Sequence, residues 1–496
     1  MSINPSRPNS TKKTWIRKLL FAVGGILLSY SSYSQTEDID AFLKSKMQQR
    51  NIPGMQLAIV KNGEIVKLGN YGLANLQDSI PVTENTVFIL NSITKAFTGV
   101  AIMQLAEAGK LNLAFPVSTY LNDLPDAWKS VTILQLLSHT SGIPDIVDEE
   151  TDLIGKGEEA SWKKVQTLPI DFKPGDKFSY NQTNYLLLGR IIDKLSGMPF
   201  TEFIKEKQLL KAGMTRTAEA GFGGSRDIIA TVAREYRYTK GKLTNMFFWL
   251  PPSLQTAAGM SSNAKEIANW VIALQNKQLL NEASLASLWS PSRLNNGKTG
   301  GFSGLLNGYA VGWPIAARAE HPAAAAVGGN RSAVFVYPND GLAIIVLTNL
   351  MGAFPDSFVD ELAGFYIPDM KEANGFGLSS SIKLVRTELE KSGYKNAIER
   401  VKRIKKTNPT FTLTENEVNN WGYALIKQNR ATDALEIFRL NVFLYPNSAN
   451  AFDSLGETYA AMGDKSQAIK NYEKSIQLNP QNENAIAVLK DLNSGK

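Results

Sequence analysis

From Trp421 onward the chain repeats itself: Trp421-Gly422, Ala434, Phe438 and Pro446 return as Leu455-Gly456, Ala468, Tyr472 and Pro480, each displaced by 34 residues. A fixed period of this length describes paired helices, with small residues where partners touch and a proline where each unit turns. Five matching positions with proline among them are not chance. Such a unit cannot bury its apolar face alone, and about three are needed for a continuous core. The stretch "NAIERVKRIKKTNP", ending at Pro409, reads as a degenerate first unit. Its basic run, Arg400 to Lys406, reads as a solvated helix face. Residues 382–496 are therefore expected to form an all-α repeat domain, set off by the linker-like "KEANGFGLSSS" at 371–381.

The period and signature are similar to those of tetratricopeptide repeats, which implies a groove for a protein or peptide partner. Residues 35–370 carry a different pattern. "MQLAIVKNGEIVKLGNYG" is two apolar runs joined at Asn62-Gly63, a strong hairpin signal. Strand-like runs return at "GYAVGWPIA", "AVGGNRSAVFVYP" and "GLAIIVLTNL", the last two joined at Asn339-Asp340-Gly341. Between them, from about 115 to 270, helices and loops alternate, and a helix near Asp356 to Tyr366 closes the unit. Strands at both ends with helices between imply one α+β domain whose sheet draws on both ends of the segment.

Composition narrows the chemistry. The chain has no cysteine and two histidines, His139 and His321. That excludes disulfides, a thiol nucleophile and Cys-rich metal sites, and argues against a histidine-rich one, so no cofactor is expected. Catalysis must rest on Ser, Lys, Tyr, Asp and Glu. The first 34 residues read as a secretory signal: basic residues, an apolar run from Leu19 to Leu28, then Ser32-Tyr33-Ser34. The apolar run is too short to span a bilayer, which takes about 20 residues, so no stable membrane span is expected after cleavage. Removing the segment takes away Arg7, Lys12, Lys13, Arg17 and Lys18 and no acidic residue, lowering the formal charge from +7 to +2. The basic balance is mostly targeting, and a nucleic-acid partner is not expected. A secreted, periplasmic location follows as the expectation.

In "FILNSITKAF", Ser92 and Lys95 sit one helical turn apart. The spacing alone proves little, since it recurs at Ser10/Lys13, Ser161/Lys164, Ser262/Lys265, Ser380/Lys383 and Ser392/Lys395. Here, however, Ser92 opens a helix-patterned run whose expected C-cap is Gly109, and side chains three apart share a face. Ile93, Ala96 and Phe97 would set the turn against the core. Burial of this kind disfavours a charged lysine, whose free pKa is about 10.4, and leaves it able to act as a base. The helix N-terminus would aim N–H groups at an oxyanion. The ordinary alternative is an N-cap serine with an exposed lysine.

Three further stretches, "LLSHTSGIP", "KPGDKFSYNQTNYLLLGRII" and "AAGMSSNAKEIANWV", follow in an order and at spacings that resemble the β-lactamase-related serine hydrolases: class C β-lactamases, D-alanyl-D-alanine carboxypeptidases and esterases. The resemblance covers roughly residues 38 to 368. It implies a β-lactamase/transpeptidase-like antiparallel sheet with a helical subdomain, and a tyrosine facing the Ser-Lys pair, here Tyr180, able to pass a proton between nucleophile, lysine and leaving group. The family asparagine two residues later is Gln182, which keeps the amide on a longer arm. The last motif reads Ala326-Val327-Gly328-Gly329, so its cation is missing while its glycines remain; the Gly329 N–H is the candidate partner of the Ser92 N–H in an oxyanion hole. Arg331 shares a strand face with Gly329 and is the candidate replacement cation, a structural arginine being the alternative. The resemblance gives the His139 motif a loop-shaping role; His321 reads as a loop residue, and Asp145 and Asp148 as solvated loop carboxylates.

The reading is a metal-independent serine hydrolase acting by acyl-enzyme formation on a small acyl or peptide substrate. Its rival is a catalytically impaired ligand-binding or scaffold protein whose repeats recruit a partner. Absence of a cation at 326 argues against β-lactam turnover, and nothing in the sequence says what activates the deacylating water.

Overall fold

The computed structural model describes residues 37–148, 153–223, 227–247 and 250–494, so the signal segment expected at 1–34 lies outside the described residues. Two compact units divide between Tyr366 and Ile367.

In chain order the strands of the first unit are β1 (Gly54–Lys61), β2 (Glu64–Asn75), β3 (Ile80–Pro81), β4 (Phe88–Ile89), β5 (Glu235–Thr239), β6 (Lys242–Met246), β7 (Ser261–Ser262), β8 (Gly308–Tyr309), β9 (Pro314–Ala316), β10 (Ala323–Gly328), β11 (Ser332–Tyr337), β12 (Leu342–Thr348) and β13 (Leu350–Met351). The main sheet runs β3-β2-β1-β12-β11-β10-β9-β8 with antiparallel neighbours throughout. Asn62 and Gly63 both take positive φ, 52° and 81°, and turn β1 into β2. Pairing of Met55 with Thr348 and of Lys61 with Leu342 stitches the two ends of the unit together.

β12 is buried along its whole length and β1 along all but its last residue, which is the mark of a sheet covered on both faces. One cover is the helix over 37–50, whose Asp40 accepts from the Tyr71 hydroxyl at 2.7 Å and pairs with Lys67 at 2.6 Å. The other is the helical excursion between β4 and β7. At its centre the helix Thr94–Glu107 buries every residue from Thr94 to Met103. A helix apolar all round belongs inside a core, and this one sits in the cluster that also holds Leu186, Leu187, Ile191, Ile267 and Val271. Lys95 rides into the interior on it, one turn after Ser92.

The second unit is all helical: Ser380–Ser392, Ala397–Thr407, Glu415–Lys427, Ala431–Leu444, Ala449–Ala461, Lys465–Leu478 and Glu483–Ser494. The repeat's small residues do the work read from their spacing. A Cβ on Gly422 would lie 2.5 Å from the Phe438 ring, and one on Gly456 would lie 3.2 Å from Tyr472. One apolar cluster runs from Ile382 to Ala485 through Val401, Trp421 and Tyr472, so the degenerate first stretch joins the stack. The expected linker at 371–381 is instead folded into this unit. Arg386 donates to the Ala373 and Asn374 carbonyls at 2.6 and 3.0 Å, and Ser379 caps the following helix. A polar, glycine-rich run folds here because a guanidinium and a cap satisfy its backbone. Among the described residues no helix is long and apolar enough to cross a membrane.

Candidate active site

Ser92 lies inside a single 3₁₀ turn, Asn91–Ile93, that feeds the helix Thr94–Glu107. Neither helical start carries a side-chain cap, so the serine hydroxyl is not spent as an N-cap. The residue before it, Asn91, takes a positive φ of 51°. The backbone turns sharply there, and the Ser92 side chain emerges half-buried.

Lys95 is 1% exposed. Its ammonium nitrogen Nζ donates to Gln182 Oε1 at 2.8 Å, to the Ala257 carbonyl at 3.0 Å and to Ser92 Oγ at 3.5 Å. The rings of Tyr180 and Tyr185 stand 4.7 and 5.1 Å from it. Burial brings its pKa down to about 7, opposed by the negative charge of Asp145. Near neutral pH a large share of the molecules therefore carry a free amine next to the serine hydroxyl.

The Tyr180 phenol is close enough to Ser92 and the Gln182 side chain to interact with both, and its buried surroundings hold its pKa well above the ordinary value. It stays protonated and can donate. Gln182 opens the helix Gln182–Ser196 behind an Asn181 cap, and its Oε1 is committed to Lys95. The longer arm thus fastens the lysine.

The loop from Ser138 to Ile146 clasps this motif. Ser141 Oγ donates to Asn184 Oδ1, Asn181 Nδ2 to the Ile143 carbonyl, Thr183 Oγ1 to the Pro144 carbonyl, and the Tyr185 hydroxyl to the Leu137 carbonyl, all within 2.9 Å. His139 is fully buried at a φ of 57°. Its Nδ1 accepts from the Asn181 N–H at 3.1 Å, so the proton sits on Nε2, and burial with the nearby Lys95 charge drives its pKa well down. Its ring packs 4.4 Å from Tyr180. It is a neutral positioning residue.

Asp145 departs from its expected role as a solvated carboxylate. Its Oδ1 accepts from the Gln182 N–H at 3.0 Å and from Val147 at 3.4 Å, and burial raises its pKa to about 6 despite those bonds. No short-range signal reveals this, because the group that buries it is the start of a helix 37 positions away. Asp148 is exposed, as expected of a loop carboxylate. His321 sits in a loop before β10, its Nδ1 2.8 Å from Asp340 Oδ1.

At the far wall β10 ends against the nucleophile's turn. A Cβ on Gly328 would stand 2.0 Å from the Leu90 carbonyl, which only glycine permits, and Gly329 at φ 55° lies beside the Asn91 amide. The two glycines therefore bring the end of β10 to the Leu90–Ser92 turn, as the oxyanion reading requires. Ala326 is 2% exposed in the apolar core. Arg331 does not replace the missing cation at the surface of the site: it is 1% exposed and its guanidinium is paired with Glu235. The physical reason is β5, which brings a carboxylate under the β10–β11 turn. Burial pushes the Arg331 pKa down to about 10, still cationic at neutral pH.

Residues 39–365 match the family described as Beta-lactamase. This chain belongs to the β-lactamase family. Residues 449–482 match a tetratricopeptide repeat. Among relatives, Protein flp of Staphylococcus aureus is 28% identical over 336 residues, 66% of this chain and 65% of its own length. Penicillin-binding protein 4* of Bacillus subtilis is 30% identical over 271 residues, 51% of this chain and 58% of its own. This β-lactamase-family chain thus spans less than two thirds of either relative. The solved structure of an octameric penicillin-binding protein homologue from Pyrococcus abyssi superimposes with a TM-score of 0.57 at 26% identity, covering 68% of this chain and 77% of its own.

Proposed function

We propose that the chain is a serine hydrolase that forms an acyl-enzyme at Ser92 on an uncharged ester or amide. The observation that carries this reading is the buried Lys95 amine, held near neutrality between Ser92 and Gln182 under the Tyr180 ring. Ser92 Oγ attacks the carbonyl carbon and its proton passes to Lys95, while the Ser92 and Gly329 N–H groups receive the oxyanion. On collapse the acyl bond to the leaving group breaks. Tyr180 hands its proton to the departing atom and is reprotonated by Lys95. Water then enters the vacated place beside Tyr180 and releases the acid by the reverse path. A buried alanine at 326 and an Arg331 committed to Glu235 favour a substrate without a carboxylate near the scissile bond, hence an esterase or amidase over a β-lactamase. Export through a cleaved segment at 1–34 to the periplasm, and recruitment of a protein or peptide by the repeats, belong to the same proposal.

The test is intact-protein mass after exposure of wild type and Ser92→Ala to a fluorophosphonate and, separately, to a penicillin. The expected result is a fluorophosphonate adduct on wild type alone. A lasting penicillin adduct would turn the substrate toward cell-wall peptides. No adduct on either protein would overturn the nucleophile and leave a ligand-binding role in its place.

A further inference from the structure

Phe302 is 45% exposed. A lone exposed phenylalanine means little; its neighbours give this one meaning. Its ring centre lies 5.0 Å from Tyr180, 5.4 Å from Phe178 in an edge-on contact and 6.0 Å from Tyr309. Tyr309 in turn packs against Phe178 at 5.6 Å and His139 at 4.8 Å. These rings form one continuous wall that begins in the core at His139 and ends in solvent at Phe302.

The loop that offers Phe302 to solvent is built. The Phe302 and Ser303 N–H groups both donate to the Leu306 carbonyl, at 2.8 and 3.2 Å, and the Leu306 N–H donates back to Ser303 Oγ at 3.1 Å. The ring is therefore held in place before any ligand arrives, so a ligand that packs on it need not order it.

Position along the reaction path decides what meets this wall. In the proposed mechanism Tyr180 delivers its proton to the leaving atom, which must come within about 3 Å of the phenol oxygen. Whatever substituent that atom carries then passes the rings flanking the phenol. Of these the one with the most open surface is Phe302. No cation at 326 calls for a carboxylate there, since that side chain is a core alanine.

We propose that the site selects substrates by an uncharged, aromatic or extended apolar leaving group, an alcohol or amine, with Phe302 as the specificity-determining contact. This deepens the reading of Ser92 as the acylating nucleophile and rests on it. In the balanced step the acyl–oxygen or acyl–nitrogen bond breaks, the proton of Tyr180 goes to the leaving atom, and the proton held by Lys95 restores the phenol.

The test compares esters whose leaving alcohols differ little in acidity, methyl acetate against 3-phenylpropyl acetate, on the full chain. Methyl 4-phenylbutanoate serves as the swapped control, with the ring on the acyl side. Wild type is expected to favour the phenylpropyl ester in kcat/KM by about tenfold or more, mostly through KM. Phe302→Ala is expected to erase that ratio, and Phe302→Tyr, which keeps the ring, to retain it. The ratio is its own folding control, because a loss of folded enzyme lowers both rates together. A ratio unchanged in Phe302→Ala, or a preference that follows the ring to the acyl side, would overturn the leaving-group assignment while leaving acyl transfer at Ser92 standing. Absence of any turnover by wild type, together with no fluorophosphonate adduct, would overturn the nucleophile itself and this inference with it.

Discussion

The two units solve the problem of burying an apolar face in opposite ways. In the first, β1 pairs with β12 across most of the unit's sequence, and the site gathers Ser92, Tyr180, Ala257 and Gly328 from four distant places. In the second, the glycine contacts of the repeat join consecutive helices, Gly422 with Phe438 and Gly456 with Tyr472. A long-range assembly can hold a lysine out of water and aim three groups at one atom; a stack of local pairs offers a surface. The price of the first design is that a single local fault reaches the chemistry.

The largest expected break is Ser92→Ala, which should cost at least about 10³-fold in ester turnover while leaving the melting temperature nearly unchanged. Purified enzyme and a calorimetric scan check both halves. Next is Gly328→Ala. Its new methyl would meet the Leu90 carbonyl, push β10 from the nucleophile's turn and lower kcat by about 10²-fold, through the same loss that removing an oxyanion donor causes. Steady-state kinetics with KM read separately would reveal it. In the repeats the expected effect stays local. Ala468→Leu overpacks the contact inside one pair at a cost of about 1–3 kcal/mol, so hydrogen exchange should speed up across 449–494 and stay slow across 382–425. Uniform loss of protection would erase the contrast between the units.

The smallest effect sharpens the electrostatics. The Asp145 charge raises the Lys95 pKa, so Asp145→Asn should move the acid limb of kcat/KM toward lower pH, by up to about one unit. A limb that shifts to higher pH would reverse the assigned sign.

How much of this was legible in the sequence follows the same divide. The repeat period exposed its own contacts, because a 34-residue shift superposes the residues that meet. The Asn62-Gly63 hairpin was legible because its signal is short; Ser92, Lys95 and Tyr180, which the structure brings together, were singled out by the order of several stretches, since the Ser-x-x-Lys spacing recurs elsewhere. Arg331 was not: it lies with Gly329 in the β10–β11 turn, where strand alternation does not apply, and its partner Glu235 lies 96 positions away. Asp145 hid for the same reason, and Phe302 carried no motif at all. Ser92 was placed at a helix start, whereas a 3₁₀ turn after a positive-φ asparagine frees its hydroxyl from capping.

The account's central claim is that burial keeps Lys95 near neutrality so that it can take the Ser92 proton. The direct measurement is the rate of Ser92 labelling by an uncharged fluorophosphonate between pH 5 and 10, followed by intact mass. The predicted rate rises about tenfold per pH unit in the acid range, bends near the Lys95 value of about 7 and then stays level, and the bend is lost in Lys95→Ala. A rate that climbs without a bend toward pH 10, as a solvated lysine would give, or one that keeps its profile in Lys95→Ala, would contradict it.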